Sequence, residues 1–379
     1  MIETETVVSS GTMKVTCSRE ELTQKLGVVS RGVSTRTAVQ ILGGILLSAE
    51  AGRLMLAATD MELSLRASLD AEVEGEGAVV VPGRLLVELT RLLPDSDVSI
   101  EQRADEGVIH IRSGSFESRL NTYTAEDFPR LPDVDALERH TVDRDALLET
   151  IARVSRSASR DESRPVLTGI LVRFEPGKLV MAATDSYRLS VKETPIDGAV
   201  PELEAIVPAR ALGELARIGQ GADQIELGMH ENQLVFSLAE AGALLTTRRI
   251  DGQFPNYQQL LPESFEHELT LPREEFLEVV RRVAVVSQRN SPLRLRFAEG
   301  ELTVSARTPD VGEATESIPA PYDGELLEIG FNPEFLREGI ESVEGDDVVL
   351  KLISPLRPGL LQSPELDFWY LIMPIRLAG

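Results

Sequence analysis

A single cysteine, Cys17, stands in 379 residues. One thiol excludes an intramolecular disulfide framework and fits a reducing cytoplasm, which is the expected location. Cys17 itself is expected to be a small, half-buried structural residue. Histidine is nearly as rare: His110, His140, His230 and His267 are the four. None lies near another His or Cys at metal-ligand spacing, so no metal site is expected. A glycine-rich phosphate loop and a Gly-x-Ser-x-Gly elbow are both missing, and no cofactor is expected. Aromatic residues make up only 4% of the chain, so its cores must be aliphatic. No apolar run approaches the ~18 residues of a membrane span. Positive charge is short as well: 38 Lys and Arg face 62 Asp and Glu, for a net −24. Taken bluntly, that argues against nucleic acid, whose phosphates attract positive charge. The objection fails if the basic residues are segregated on one face. Residues 1–12 are polar and acidic, without the basic start and apolar middle of a signal peptide. They are expected to be a flexible extension or an alternative start.

What is present is a repeat. Ala57-Ala58-Thr59-Asp60 returns 125 residues later as Ala182-Ala183-Thr184-Asp185. Each tetrapeptide sits in a strand, a polar break at Thr-Asp, and a second strand. Other landmarks keep the spacing. Val81-Pro82 recurs as Val207-Pro208 and, more loosely, as Asn332-Pro333. Phe128-Pro129 recurs as Phe254-Pro255. Arg19-Glu20-Glu21-Leu22 aligns with Arg144-Asp145-Ala146-Leu147 and with Arg273-Glu274-Glu275-Phe276. In a third, worn copy, the stretch 302–310 stands where the hairpin should be. This period exceeds the roughly 20–50 residues of a solenoid. It is a domain-sized unit used three times, with boundaries expected at residues 13–135, 136–262 and 263–379.

Each copy reads as strand, helix, strands, second helix, strands and a Phe-Pro exit, a two-helix, two-sheet α+β unit. Ser18 can cap the first helix, with Glu20 and Glu21 in its positive first turn. Leu22, Leu26 and Val29 mark the buried stripe. The second helix is expected to start at Pro82 as an N1 proline, with Leu85, Leu86, Leu89 and Leu92 inward. The matching stripes are Leu147, Ile151 and Val154, then Leu212, Leu215 and Ile218, then Phe276, Val280 and Val283, then Phe335, Leu336 and Ile340. The chain ends in an apolar strand from Phe368, which must pack or pair.

The arginines recur on the polar faces of these helices. Arg153, Arg156 and Arg160 follow Glu149 at i+4, i+7 and i+11. Arg84, Glu88 and Arg91 form one face, repeated by Arg210, Glu214 and Arg217, each 126 residues later. Arg281 and Arg282 lie on the first helix of the third copy. Charged residues of this kind ordinarily solvate the outside of an amphipathic helix. If they line one wall instead, an acidic protein presents a thin basic track. Its contacts would be weak, salt-sensitive and indifferent to base sequence. Asp60 and Asp185 recur at a turn. They are read as closing it by bonding nearby amides, rather than as a catalytic pair, which needs two environments in one site.

The three-fold plan, the Ala-Ala-Thr-Asp hairpin, the Val-Pro helix starts, the Phe-Pro exits and the terminal Met373-Pro374-Ile375-Arg376-Leu377 together resemble the bacterial sliding clamp family, the β subunit of the replicative DNA polymerase. The resemblance covers residues 13–379. It implies an α+β DNA clamp fold, three repeated domains per chain forming half of a six-domain ring. The implied partners are encircled duplex DNA, a second copy joined head to tail, and polymerase, clamp loader and repair proteins held through short linear peptides. The implied role is processivity, without enzymatic activity. By position, the peptide pocket falls to Arg164, Leu167, Thr184, Tyr187, Arg188, Leu189, Pro255, Gln259, Leu260, Met373, Pro374, Ile375 and Arg376. Leu189 and Leu260 are equally readable as ordinary core. Two positions depart from the family: Ser186-Tyr187 replaces a common Gly-His, and Gln259 stands where many members have Arg. The DNA-facing positions are Arg36 and Arg160, with Arg84, Arg91, Arg153, Arg156, Arg210, Arg217, Arg281 and Arg282. The dimer contact falls to Leu120, Val285 and Val286, with a core role as the equal alternative. Composition alone favours a different function, a cytoplasmic peptide-binding scaffold with no DNA contact. A hydrolase using Asp60 or Asp185 is a third reading.

Overall fold

The computed structural model describes residues 12–34, 38–103, 105–132, 134, 137, 139–196, 203–288, 291–365 and 367–377. Helix α1 (Arg19–Val29) forms where its cap and stripe dictate: Ser18 Oγ accepts from Glu21 N at 3.4 Å, and Glu20 and Glu21 occupy the first turn. Leu22, Leu26 and Val29 are all fully buried. Each such side chain contributes roughly 1.5–3 kcal/mol relative to exposure. There follow α2 (Gly83–Thr90), α3 (Arg144–Val154), α4 (Pro165–Thr168), α5 (Ala209–Ile218), α6 (Arg273–Ala284) and α7 (Pro333–Ser342). The stripes expected on α3, α5 and α6 are buried, as are Leu336 and Ile340 of α7. None of the helices described is long and apolar enough to cross a membrane.

Two details differ from the sequence pattern. Leu85 and Leu92 are exposed, while Leu86 and Leu93 are buried. The helix stops at Thr90, so the 3.6-residue period does not carry to position 92, and the turn brings Leu93 inward instead. Pro82 ends its strand and stands at the N-cap of α2, one place ahead of the expected N1, and Pro208 likewise ends its strand. Of the three recurring prolines, Pro333 of α7 is the one at N1, where Asn332 precedes it and accepts from Glu334 N at 2.9 Å and Phe335 N at 3.2 Å.

The chain divides into two compact units, residues 1–144 with 214–249, and residues 145–213 with 250–379. Sheet sharing explains why the division cuts the middle repeat. In the first unit, an eight-stranded sheet runs His140–Asp143, Gln224–His230, Gln233–Leu238, Ala243–Arg248, Leu63–Asp70, Arg53–Thr59, Gly44–Glu50, Gly77–Pro82. Its seam is the antiparallel pair Ala243–Arg248 with Leu63–Asp70, which joins the second half of the middle copy to the first half of the first. The second unit repeats this plan. Its eight-stranded sheet has its seam where Phe368–Ile372 pairs with Arg188–Pro195. Two smaller sheets remain. The first unit has one of five strands, Glu72–Gly75, Lys14–Ser18, Asp97–Arg103, Val108–Ser113 and Phe116–Asn121. The second has one of four, Gly312–Pro319, Glu301–Thr308, Leu293–Ala298 and Leu327–Phe331. Helices cover these sheets and close aliphatic cores. Cys17 is part of one such core, and burial pushes its thiol up to about 12, which leaves it unreactive.

Candidate functional site

The repeated Thr-Asp break folds into the same turn twice. In the first copy, Asp60 Oδ1 accepts from Glu62 N at 3.1 Å and Leu63 N at 2.9 Å. Thr59 Oγ1 accepts from Met61 N at 3.0 Å and donates to Leu63 O at 3.0 Å. In the second copy, Asp185 Oδ1 accepts from Tyr187 N at 2.9 Å and Arg188 N at 3.0 Å. Thr184 Oγ1 accepts from Ser186 N at 3.1 Å and donates to Arg188 O at 2.6 Å. Each Asp is held by its own turn, as the sequence suggests, and is not presented to a substrate. Met61 and Ser186 take positive φ, 79° and 80°. The turn thereby pushes the next side chain outward, and Tyr187 is 62% exposed.

The turn of the second copy stands at the end of the second unit's seam. Arg188 and Leu189 pair with Ile372 and Leu371, and Met373 N donates to Tyr187 O at 2.9 Å. The strand cannot continue past Pro374, which lacks an N–H. Ile375 instead donates its N–H to Gly330 O at 2.8 Å. The segment Met373–Ile375 is thus tied at both ends, with Met373 43% exposed. Elsewhere in the second unit, Pro255 precedes a 3₁₀ turn, Tyr257–Leu260, which contains Gln259 and Leu260. That turn is anchored by buried Tyr257, which meets Phe254 edge-on at 6.3 Å between centroids. Arg164, at the N-cap of α4, donates to Ser186 Oγ at 3.0 Å and pairs with Asp161 at 3.4 Å. Leu167 and Thr184 are buried.

The two leucines left open by the sequence now separate: Leu189 is 2% exposed within a core cluster, whereas Leu260 is 51% exposed. The arginines separate too. Arg164 and Arg376 are exposed, but Arg188 is buried. Its guanidinium donates to Asp185 Oδ2 at 3.1 Å, to Glu338, to Tyr370 Oη at 3.4 Å and to Arg156 O, and lies 4.2 Å over the Phe335 ring. Sequence reasoning missed Glu338, Phe335 and Tyr370 as its partners.

Arg84, Arg153, Arg210, Arg217, Arg281 and Arg282 lie on helices, and most of the arginines are matched by carboxylates. Arg84 pairs with Glu88 at 2.9 Å, Arg217 with Glu214 at 2.5 Å, and Arg282 with Glu316 at 2.7 Å. Arg156 meets Glu341 at 2.6 Å, and Arg281 meets Glu278 at 2.9 Å and Glu341 at 3.0 Å. Arg153 donates to Ser342 O at 3.1 Å and reaches Glu344 at 3.4 Å. Arg210 is exposed on α5. Arg91 and Arg160 are exposed and make no ion pair among the described residues. Helix α3 stops at Val154, so Arg156 sits on a 3₁₀ turn and Arg160 in the loop beyond, not on one continuous helix. Arg36 lies outside the described residues. Exposed pairs of this kind are worth only about 0–1 kcal/mol.

Beside Arg153, the second unit contains a polar cluster. Lys192, 6% exposed at its side chain, pairs with Asp367 and lies 3.7 Å from Glu149. Burial, then a hydrogen bond with Glu344, raises the Glu149 pKa, against the opposing pull of Lys192 and Arg153. A carboxyl raised on folding binds its proton more tightly in the native state, so stability falls as pH rises through the raised value. Glu149→Gln is therefore expected to raise the melting temperature at pH 8. The gain should close as pH falls towards the ordinary carboxylate value of about 4.3. Thermal melts of both proteins across that range check it, and parallel pH profiles would refute it.

Of the expected dimer residues, Val285 is 81% exposed just past α6. Leu120 and Val286 are partly buried against core clusters.

Comparison with known proteins agrees along the whole chain. Family models of the DNA polymerase III β subunit match in three parts: the N-terminal domain over residues 13–132, the central domain over 141–256 and the C-terminal domain over 258–376. The β sliding clamp of Streptomyces coelicolor is 34% identical, over 97% of this chain and all of the relative. The crystal structure of the Caulobacter crescentus β sliding clamp superposes with a TM-score of 0.91 at 32% identity, covering 97% of this chain and all of that one. A sliding clamp from Pseudomonas aeruginosa, solved bound to griselimycin, gives 0.88 at 27% identity over 97% of this chain and all of that one. The chain belongs to the family of the bacterial DNA polymerase III β subunit, the β sliding clamp: an α+β DNA sliding clamp and processivity factor that is not itself an enzyme.

Proposed function

We propose that two copies of this chain close head to tail around duplex DNA, and that the closed assembly slides while tethering cytoplasmic replication and repair proteins. The observation that carries the closure is the seam. Within the chain, the third strand after a second helix pairs with the third strand after the first helix of the preceding copy: Ala243–Arg248 with Leu63–Asp70, and Phe368–Ile372 with Arg188–Pro195. Two strands of these classes are left over at sheet edges, Phe116–Asn121 from the first copy and Gly312–Pro319 from the third. Unpaired edges invite another chain. Pairing one copy's Phe116–Asn121 with its partner's Gly312–Pro319 repeats the seam between molecules. The contact joins unlike surfaces, and such contacts form rings when the rotation closes. Leu120 lies on the first of these strands, and Val285 and Val286 would flank the contact. The three sequence repeats, residues 13–135, 136–262 and 263–379, taken from two copies, are then the six domains of the ring.

Topological linkage replaces tight binding. A chain of net charge −24 can hold DNA because it surrounds it, with Arg36, Arg160 and the helix arginines touching phosphates weakly and without regard to sequence. The remaining acidic surface discourages binding from outside. Partner proteins are read as short linear apolar segments docking against Leu260, Met373, Pro374 and Ile375, with exposed Arg164 and Arg376 meeting polar ends. A relative bound to griselimycin supports a ligand-accepting surface in the family. Protein loaded on closed circular DNA should stay bound through gel filtration and be released when the circle is cut once. Equal retention on both would refute encirclement. A peptide-binding scaffold that never touches DNA is not favoured, because it leaves the family relation and the recurring arginines without a role.

A further inference from the structure

We propose that Glu341 is a positioning residue that acts as an internal stand-in for DNA phosphate, holding Arg156 and Arg281 so that contact with DNA is an exchange rather than a new bond. This rests on the reading that these helix faces meet DNA, and it goes beyond it by assigning the carboxylate that weakens the contact. Glu341 lies in the last turn of α7, where the helix dipole disfavours an acid. Three guanidinium groups offset that cost. Arg156, from the 3₁₀ turn after α3, bonds one carboxylate oxygen at 2.6 Å. Arg281, from α6, bonds the other at 3.0 Å, and Arg337, one turn earlier on α7, lies 3.9 Å from the same oxygen. The carboxylate is the more buried member: its side chain is 22% exposed, against 45% for Arg156 and 43% for both Arg281 and Arg337. Burial alone would make it a weaker acid, but the bonds from Arg281 and Arg156 outweigh that and keep its pKa below the ordinary value.

A phosphate arriving from solvent meets the arginines first and must draw them from a carboxylate already in place. Each arginine so drawn gives up one ion pair to gain another. That keeps the hold on DNA weak while leaving positive charge along the path, as sliding requires. Arg281 is further shared with Glu278, which also reaches Arg282 at 3.4 Å, so the same device extends along α6.

The test is equilibrium binding of the full chain to a short, labelled, linear duplex of arbitrary sequence across 50–200 mM salt. Glu341→Gln keeps the shape and a hydrogen-bond acceptor but removes the charge. Each arginine released to contact a phosphate steepens the slope of log affinity against log salt by about 0.9. With one or two released, Glu341→Gln should bind more tightly at 50 mM, and its advantage should shrink roughly 3- to 12-fold by 200 mM. Glu341→Asp, which keeps the charge, should restore a slope close to that of the native chain. A merely structural clamp predicts otherwise: a lower melting temperature for Glu341→Gln and an unchanged salt slope, which would overturn the proposal. The double variant Arg91→Ala/Arg160→Ala separates the two levels. If it flattens the slope while Glu341→Gln does not change it, the stand-in role is refuted and the DNA-facing reading stands. If neither changes the slope, both fail. A steeper slope in Glu341→Gln supports the proposal whatever the double variant does.

Discussion

Arg188→Ala is expected to lower stability by about 3–5 kcal/mol, the usual cost of removing one partner from a buried ion pair. The guanidinium is 9% exposed and meets two carboxylates, Asp185 and Glu338, whose side chains are only 14% and 16% exposed. Alanine leaves both partly buried and without the cation that offsets their charge. It also removes the group stacked on Phe335 and the donor to Arg156 O. For a unit of this size each kcal/mol moves the melting temperature by about 2–4 °C, so a fall of roughly 6–20 °C is expected. Arg188→Lys keeps the charge but not the planar fork, and should fall between the two. Replacing one carboxylate as well, as Arg188→Met with Glu338→Leu, should recover part of the loss, because that pair then pays no desolvation while Asp185 keeps the two backbone N–H bonds of its turn. A drop below 2 °C for Arg188→Ala would mean that water reaches the cluster and that the arginine is not a structural link. Arg188 also closes the turn that exposes Tyr187, one of the residues proposed to meet partner peptides.

How much of this was legible beforehand depended on the sequence distance between partners. The Thr-Asp turn was readable because all its bonds run within four residues, from Thr184 Oγ1 to Arg188 O at the widest. The buried stripes of α1, α3, α5 and α6 were readable because burial follows the helix period. Leu92 falls off the expected stripe because α2 stops at Thr90, an end that composition does not mark, while Leu85, in the first turn, faces out beside buried Leu86. The setting of Arg188 was out of reach: its main carboxylate partner is 150 residues away. The same holds for Glu341, 185 residues from Arg156. An acid in the last turn of a helix was a local anomaly that pointed to a cation nearby, and it was the one signal available. Repeats revealed three copies, but not that successive copies share sheets, since a seam between strands leaves no motif of its own.

On the proposed function, Leu260→Ser with Met373→Ser is expected to reduce affinity for short apolar partner peptides by at least about 30-fold, with little change in melting temperature. Both side chains are large, apolar and open, at 51% and 43% exposure, so their removal costs the free protein little burial. Such residues on an otherwise tied framework are what an apolar ligand would cover. Central anchors of that kind are worth about 2 kcal/mol or more each, and 1.4 kcal/mol is tenfold in affinity. The framework survives the change: Met373 N still bonds Tyr187 O and Ile375 N still bonds Gly330 O, since both use the backbone. The pair therefore contrasts with Arg188→Ala, which should lose stability and ligand together. Leu189→Ala, from the core cluster beside it, should behave like Arg188→Ala, because that side chain is 2% exposed. Calorimetric titration and thermal melts on the same samples separate the cases. A loss of binding under threefold in the double serine variant would place the ligand elsewhere on the chain, and the exposed leucine and methionine would then be ordinary surface.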